Sequence, residues 1–214
     1  MHLTLAYCPV ACSLVPYILL TEAGAVFDTL NVNLGKDENL RPDYLKINLK
    51  GKVPTLIIDG EVLTENLAIQ IWITNQYPQA KLMPTEPLAY ARALSVMAWC
   101  AAGIHPKLTQ QARPARYCNL TDSADNVREQ GSHSMMELFA IAEAMLEGRE
   151  WFFDRFTCAD AYFYWCFRRG AMFKPDVSGF TNCRAHLQRM EQRPSVQALL
   201  KHEKRVLDAF AKTA

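Results

Sequence analysis

The chain has 214 residues, half of them hydrophobic and 21% charged, an ordinary balance for a globular protein with a sizeable core. Its 23 Lys and Arg against 22 Asp and Glu leave a net charge of +1, which gives no reason to expect nucleic acid or an anionic membrane as a partner. No apolar run reaches the roughly 18–20 residues that cross a bilayer, and the segment from Met1 has no basic leader or cleavage site, so a cytoplasmic chain without a signal peptide is expected.

In chain order, His2–Tyr7 alternates apolar and polar positions and meets Pro9, which reads as a strand and a turn. Ser13–Ala23 is helical and closed by Gly24, and Phe27–Val32 alternates again. Arg41–Ile47 reads as a short helix. Thr55–Ile58 and Glu61–Leu63 flank Asp59-Gly60, a strong hairpin signal, and Leu67–Gln76 is a helix ending before Pro78. The order is βαβ followed by αββα, with a parallel first unit and an antiparallel hairpin in one mixed four-stranded sheet.

Pro78, Pro84 and Pro87 mark a linker. Beyond it only helical spacing appears, over Leu88–Ile104, Thr121–Leu146, Cys158–Arg169, Asn182–Gln192 and Ser195–Ala211. Thr157-Cys158-Ala159-Asp160 has the chemistry of a capping box. The pattern predicts an α/β domain over 1–78, a linker over 79–87 and an all-α domain over 88–214.

Seven cysteines, Cys8, Cys12, Cys100, Cys118, Cys158, Cys166 and Cys183, are scattered, odd in number and free of any CxxC pair. That argues against a disulfide framework, a zinc ribbon or a dithiol site, and no metal is expected. Cys12 lies where the first strand hands over to the first helix. A helix N-terminus favours thiolate and can lower a cysteine pKa to about 3.5–7.5, whereas a buried cysteine there would be inert; both readings stand. Lys50-Gly51-Lys52-Val53-Pro54-Thr55 leads into a strand, and a cis Val53-Pro54 bond would turn the Val53 backbone towards a peptide-like ligand. Glu65 and Asn66 open a helix after Thr64. They read as an ordinary cap, or as a pair in which Glu65 takes an ammonium and the Asn66 N–H a carboxylate.

Four segments resemble the glutathione transferase family, most of all its bacterial beta class, over nearly the whole chain. Tyr7–Tyr17, YCPVACSLVPY, is similar to the family's Y-x-P-G-x-C-S-L-x-P-H, and Asn48–Leu56 to N-P-K-G-x-V-P-x-L. Leu63–Ile69 is similar to L-T-E-S/G-x-A-I, and Phe156–Tyr162 to F-T/S-x-A-D-A-Y. The resemblance implies a thioredoxin-like domain that binds glutathione, an all-helical second domain, and a homodimer. It implies that Cys12 faces the glutathione sulfur, that Val53 before a cis Pro54 pairs with the cysteinyl part, and that Glu65 and Asn66 hold the γ-glutamyl group. Lys36 and Lys52 belong to the same glutathione-binding set, His105 joins Cys12 as catalytic, and Asp160 is a buried structural cap. Val10, Leu49, Asn66, Ala98 and Pro106 depart from the pattern, Val10 standing where the family has glycine.

The function implied is transfer of glutathione to small electrophiles, or glutathione-dependent thiol–disulfide exchange. Glutathione is then the co-substrate and no metal is needed. The alternative is a binding or regulatory protein of the same fold with little catalysis, a type that typically lacks the polar contacts kept here at Cys12, Val53 and Glu65.

Overall fold

A computed structural model describes residues 1–212; Thr213 and Ala214, the end of the expected helical domain, lie outside them. The chain forms two compact units, Met1–Leu82 with Glu191–Ala214, and Met83–Met190. The first boundary falls within the stretch marked by the three prolines. The closing helix, expected among the helices of 88–214, makes its contacts with the sheet unit.

The sheet unit has strands β1 (Leu3–Tyr7), β2 (Asp28–Asn31), β3 (Thr55–Ile58) and β4 (Glu61–Thr64), in the order β2-β1-β3-β4. Strand β1 runs parallel to β2 with Leu5 opposite Thr29, and antiparallel to β3 with Leu5 opposite Leu56. Its central place explains why Leu3, Leu5, Ala6 and Tyr7 are all buried, on both faces of the strand. Asp59 and Gly60 both take positive φ, 49° and 95°, as the two-residue turn between twisted antiparallel strands requires.

Helix α1 (Leu14–Glu22) buries Leu14, Val15, Ile18, Leu19 and Leu20. Such a helix, apolar on nearly all sides, needs cover all round; β1, α3 (Asn66–Gln76) and α9 (Pro194–Lys212) supply it. Each of those side chains contributes about 1.5–3 kcal/mol by leaving water. Helix α2 (Pro42–Ile47) is a short bridge whose Tyr44 is buried.

The second unit holds helices α4 (Pro87–Trp99), α5 (His105–Ala112), α6 (Ala124–Met145), α7 (Cys158–Ala171) and α8 (Thr181–Glu191); among the described residues no strand follows β4. The sequence suggested a helix ending at Ile104. Instead α4 continues through a π-turn, Cys100–Ile104, straight into α5. Pro106 has no N–H to give and its ring crowds the preceding turn; the wider π-turn, in which the His105 N–H reaches back to Cys100 O, accommodates it. By length and composition Pro87–Ala112 would suffice to cross a membrane, but here it packs against α6 and α7. The expected capping box is present: buried Asp160 accepts from the Thr157 N–H at 2.8 Å and the Thr157 hydroxyl at 2.9 Å. It also accepts from the Phe152 N–H at 3.0 Å and meets His186 Nε2 at 3.1 Å, which ties α7 to α8 and to the preceding loop.

Candidate functional site

In the sheet unit, three chain turns meet where the strands end. The first is the loop from β1 to α1. Ser13 Oγ accepts the Cys8 N–H at 3.0 Å and donates to Cys8 O at 3.1 Å, which closes this loop on itself. The Ser13 hydroxyl is therefore committed to the backbone. Tyr7 is fully buried, its ring against Tyr17 and His202.

The second is the turn before β3. Val53-Pro54 is cis, as expected. Tyr44 Oη donates to Lys52 O at 2.7 Å, and Asn48 Nδ2 donates to Lys52 O and Thr55 Oγ1, both at 2.9 Å. Buried groups thus fix this backbone from behind. Cys12 Sγ donates to Val53 O at 3.5 Å, so the thiol and the cis turn share one spot. Val53 belongs to a small apolar cluster with Ala6, Cys8, Val32 and Tyr44.

The third is the start of α3. Glu65 has φ 72° and ψ 121°, a costly backbone for a residue with a side chain, and such outliers gather at functional sites. Its carboxylate does not cap the helix. It lies 2.6 Å from Lys50 Nζ, which also donates to Thr64 Oγ1 at 3.0 Å. The carboxylate assigned to an ammonium thus already holds one. Asn66 is buried; its Nδ2 donates to Cys12 O at 2.8 Å, and its Oδ1 accepts from Gln70 at 3.1 Å. Asn66 therefore contributes its side chain to the cysteine loop, and no side chain caps the first turn of α3, whose N–H groups have no partner within the helix.

Cys12, Val53, Pro54, Glu65 and Asn66 are thus brought together. Lys52 is exposed, and its charge slightly favours the Cys12 thiolate. Lys36 is exposed on the turn Leu34–Lys36, whose backbone N–H groups are held by Asn33 Oδ1. His105 lies in the helical unit, where its ring meets Trp165 edge-on with centroids 4.4 Å apart.

The chemistry of Cys12 departs from expectation. Burial pushes its thiol up to about 12, and the opposing pull of Asn66, a backbone hydrogen bond and Lys52 is smaller. Cys12 begins one residue before the cap of α1, so it gains little from the helix end, and it is almost out of water. Burial thus favours the neutral thiol, which donates to Val53 O.

Two contributors escaped the sequence reading. Lys50 stood inside a quoted motif without a role. Glu203, from α9, accepts the Val10 N–H at 2.7 Å; the one signal for it was valine in place of glycine, since Val10 has φ 64°. Among the described residues no cluster of three or more His, Cys, Asp or Glu could hold a metal.

A thioredoxin-like sheet thus carries a cysteine, a cis-proline turn and an acidic helix start at one end of its strands. Profiles of the N-terminal and C-terminal domains of glutathione S-transferase match residues 5–75 and 101–194. The chain is 31% identical to glutathione S-transferase GstA of Escherichia coli O157:H7 over 93% of its own length and 98% of that protein's. It is 33% identical to the maleylacetoacetate isomerase of Pseudomonas aeruginosa over 68% and 70% of the two chains. Among solved structures, a Sulfitobacter glutathione transferase homologue with bound glutathione superposes at TM-score 0.89, 27% identical over 94% and 98% of the chains. The beta-class glutathione S-transferase of Sphingomonas chungbukensis superposes at 0.82, 33% identical over 95% and 98%. The chain belongs to the glutathione S-transferase family of enzymes, and is most like its bacterial beta class.

Proposed function

We propose that this enzyme binds glutathione in the sheet unit and transfers it to a small electrophile. The carrying observation is that Cys12, the cis Val53-Pro54 turn and the Glu65–Asn66 helix start converge, with Cys12 Sγ 3.5 Å from Val53 O and Asn66 2.8 Å from Cys12 O. In this reading Glu65 receives the γ-glutamyl ammonium and the first N–H groups of α3 its carboxylate. Val53 pairs with the cysteinyl peptide, and Lys36 and Lys52 supply positive charge for the glycyl carboxylate. Glutathione gives its thiol proton to solvent water, its sulfur attacks the electrophilic carbon, and the leaving group departs with the bonding pair and a proton regained from water.

Glutathione-dependent thiol–disulfide exchange at Cys12 is the competing chemistry. It needs a Cys12 thiolate, which burial opposes. We therefore assign Cys12 to orienting the glutathione sulfur through its S–H, with His105 as the catalytic residue of the helical unit. A cytoplasmic two-fold homodimer completes the proposal; light scattering at twice the chain mass checks the assembly, and a stable monomer at micromolar concentration contradicts it.

A second reading is favoured by the likeness to the maleylacetoacetate isomerase and, at 29% identity over 78% of this chain, to a maleylpyruvate isomerase of Ralstonia. A glutathione sulfur that adds to an electron-poor double bond conjugates if it stays and isomerises if it leaves again. The same site serves both outcomes.

Replacement of Cys12 separates its roles. We expect Cys12→Ala to lower conjugation of an aromatic electrophile and glutathione-dependent disulfide reduction together, by about tenfold, with weaker glutathione affinity, the scale of one lost contact to a charged group. Loss of disulfide reduction with conjugation almost intact would instead make Cys12 the redox nucleophile. No change in either activity would remove Cys12 from the site.

A further inference from the structure

The six residues Cys8–Ser13 carry the chain from β1 to α1, and their path decides where the Cys12 sulfur points. Val10 sits in this loop at φ 64°. A β-branched residue is a poor occupant of that left-handed region, where its Cβ crowds the backbone. Something outside the loop must hold it there.

Glu203 is placed to do so. Its Oε2 accepts the Val10 N–H at 2.7 Å, and the residue is only 4% exposed. It reaches the loop from α9, 193 residues further along the chain. Three other contacts fix α9 within the same unit. Arg193 makes a two-pronged pair with Glu22 of α1, at 2.8 Å on each oxygen. Ser195 Oγ donates to the same carboxylate. The His202 ring stacks on Tyr17 and meets Tyr7 edge-on, each at 5.0 Å. The carboxylate therefore arrives at the loop on a rigid support. A carboxylate accepting a backbone N–H is also among the stronger hydrogen bonds a protein makes.

We propose that Glu203 is a positioning residue for the cysteine: it locks the Pro9–Val10 peptide in the orientation that sets Cys12 Sγ on Val53 O. In this chain a buried acceptor on the closing helix does what a glycine would otherwise do by having no Cβ. The role in glutathione turnover rests on the proposed function; the positioning of the thiol does not.

Alkylation of Cys12 by iodoacetamide at pH 8, without glutathione, reads that position directly when the Cys12 peptide is followed by mass spectrometry. Glu203→Ala should speed alkylation about tenfold and raise the KM for glutathione more than it lowers kcat, the scale of one lost charge-assisted hydrogen bond. Glu203→Gln, which keeps an oxygen acceptor, should stay within about threefold of the native protein. Adding Val10→Gly to Glu203→Ala should restore the slow alkylation, because glycine takes φ near 64° without help. Should Glu203→Ala fail to fold, Glu203→Asp, shorter by one methylene, is expected to show the same faster alkylation. The proposal is overturned if Cys12 stays equally protected in the folded variants, if only thermal stability falls, or if Val10→Gly gives no rescue. A native protein that binds no glutathione would sink the proposed function yet leave the alkylation result to decide this one.

Discussion

Two influences meet at Cys12, the helix end that favours charge and the burial that forbids it, and their sizes decide the outcome. A charge at the helix end is worth about 0.3–1 kcal/mol in an exposed setting. Raising a thiol from 9.0 to about 12 corresponds to a penalty several times larger, so burial wins. Glutathione itself, or a small movement of the loop, has to change the surroundings before this sulfur can ionise. At Glu65 the question is who holds the carboxylate. Lys50 does so, from a pair that is more than half exposed on both sides. Exposed pairs of this kind contribute about 0.2–1 kcal/mol, a factor of up to about five in binding. Lys50→Met should therefore tighten glutathione by about two- to fivefold in calorimetry, because the ligand ammonium no longer displaces a competitor. A glutathione analogue without the amino group should gain nothing. Weaker binding of glutathione by the variant would show instead that Lys50 assists the ligand.

Among the elements, those with a strong repeating pattern were legible and those set by distant partners were not. Strands β1 to β4 fall within a residue or two of the alternating segments, and Asp59-Gly60 makes the turn its type demands. Cys12, Val53, Pro54, Glu65 and Asn66 were found from local motifs and converge. The π-turn before His105 was not legible, because helical spacing does not distinguish a wider turn from a helix end at Pro106. The direction of the Cys12 shift was not legible either, since burial belongs to the folded chain. The Asn66 side chain was assigned a ligand role through its backbone, yet it spans 54 residues to brace the cysteine loop. In the helical unit, the approach of α6 to α7 depends on a glycine. A Cβ on Gly170 would lie 2.5 Å from Phe139 Cζ, and Phe139 is itself wedged against Phe163, Phe167 and Phe180. Gly170→Ala is expected to cost about 2 kcal/mol in urea unfolding, since overpacking outweighs the roughly 1 kcal/mol of helix propensity that alanine returns. A stabilised variant would mean that the ring has room to move.

For the whole molecule, the closing helix is the feature with most consequence. By its contacts α9 belongs to the first unit, so that unit is complete only once α9 is made. It buries His202 and Glu203 beside β1 and α1, which couples the last helix to the loop that carries Cys12. Its sequence gave a helix but no destination, because nothing local specifies a partner so far away. Glutathione is expected to occupy the sheet unit with its ammonium on Glu65. Calorimetric titration of glutathione into the ligand-free protein and into Glu65→Gln tests this directly. One site per chain with a Kd below about 1 mM, weakened about tenfold or more in the variant, is the predicted result. No binding up to about 10 mM, or equal affinity for the two proteins, would contradict it.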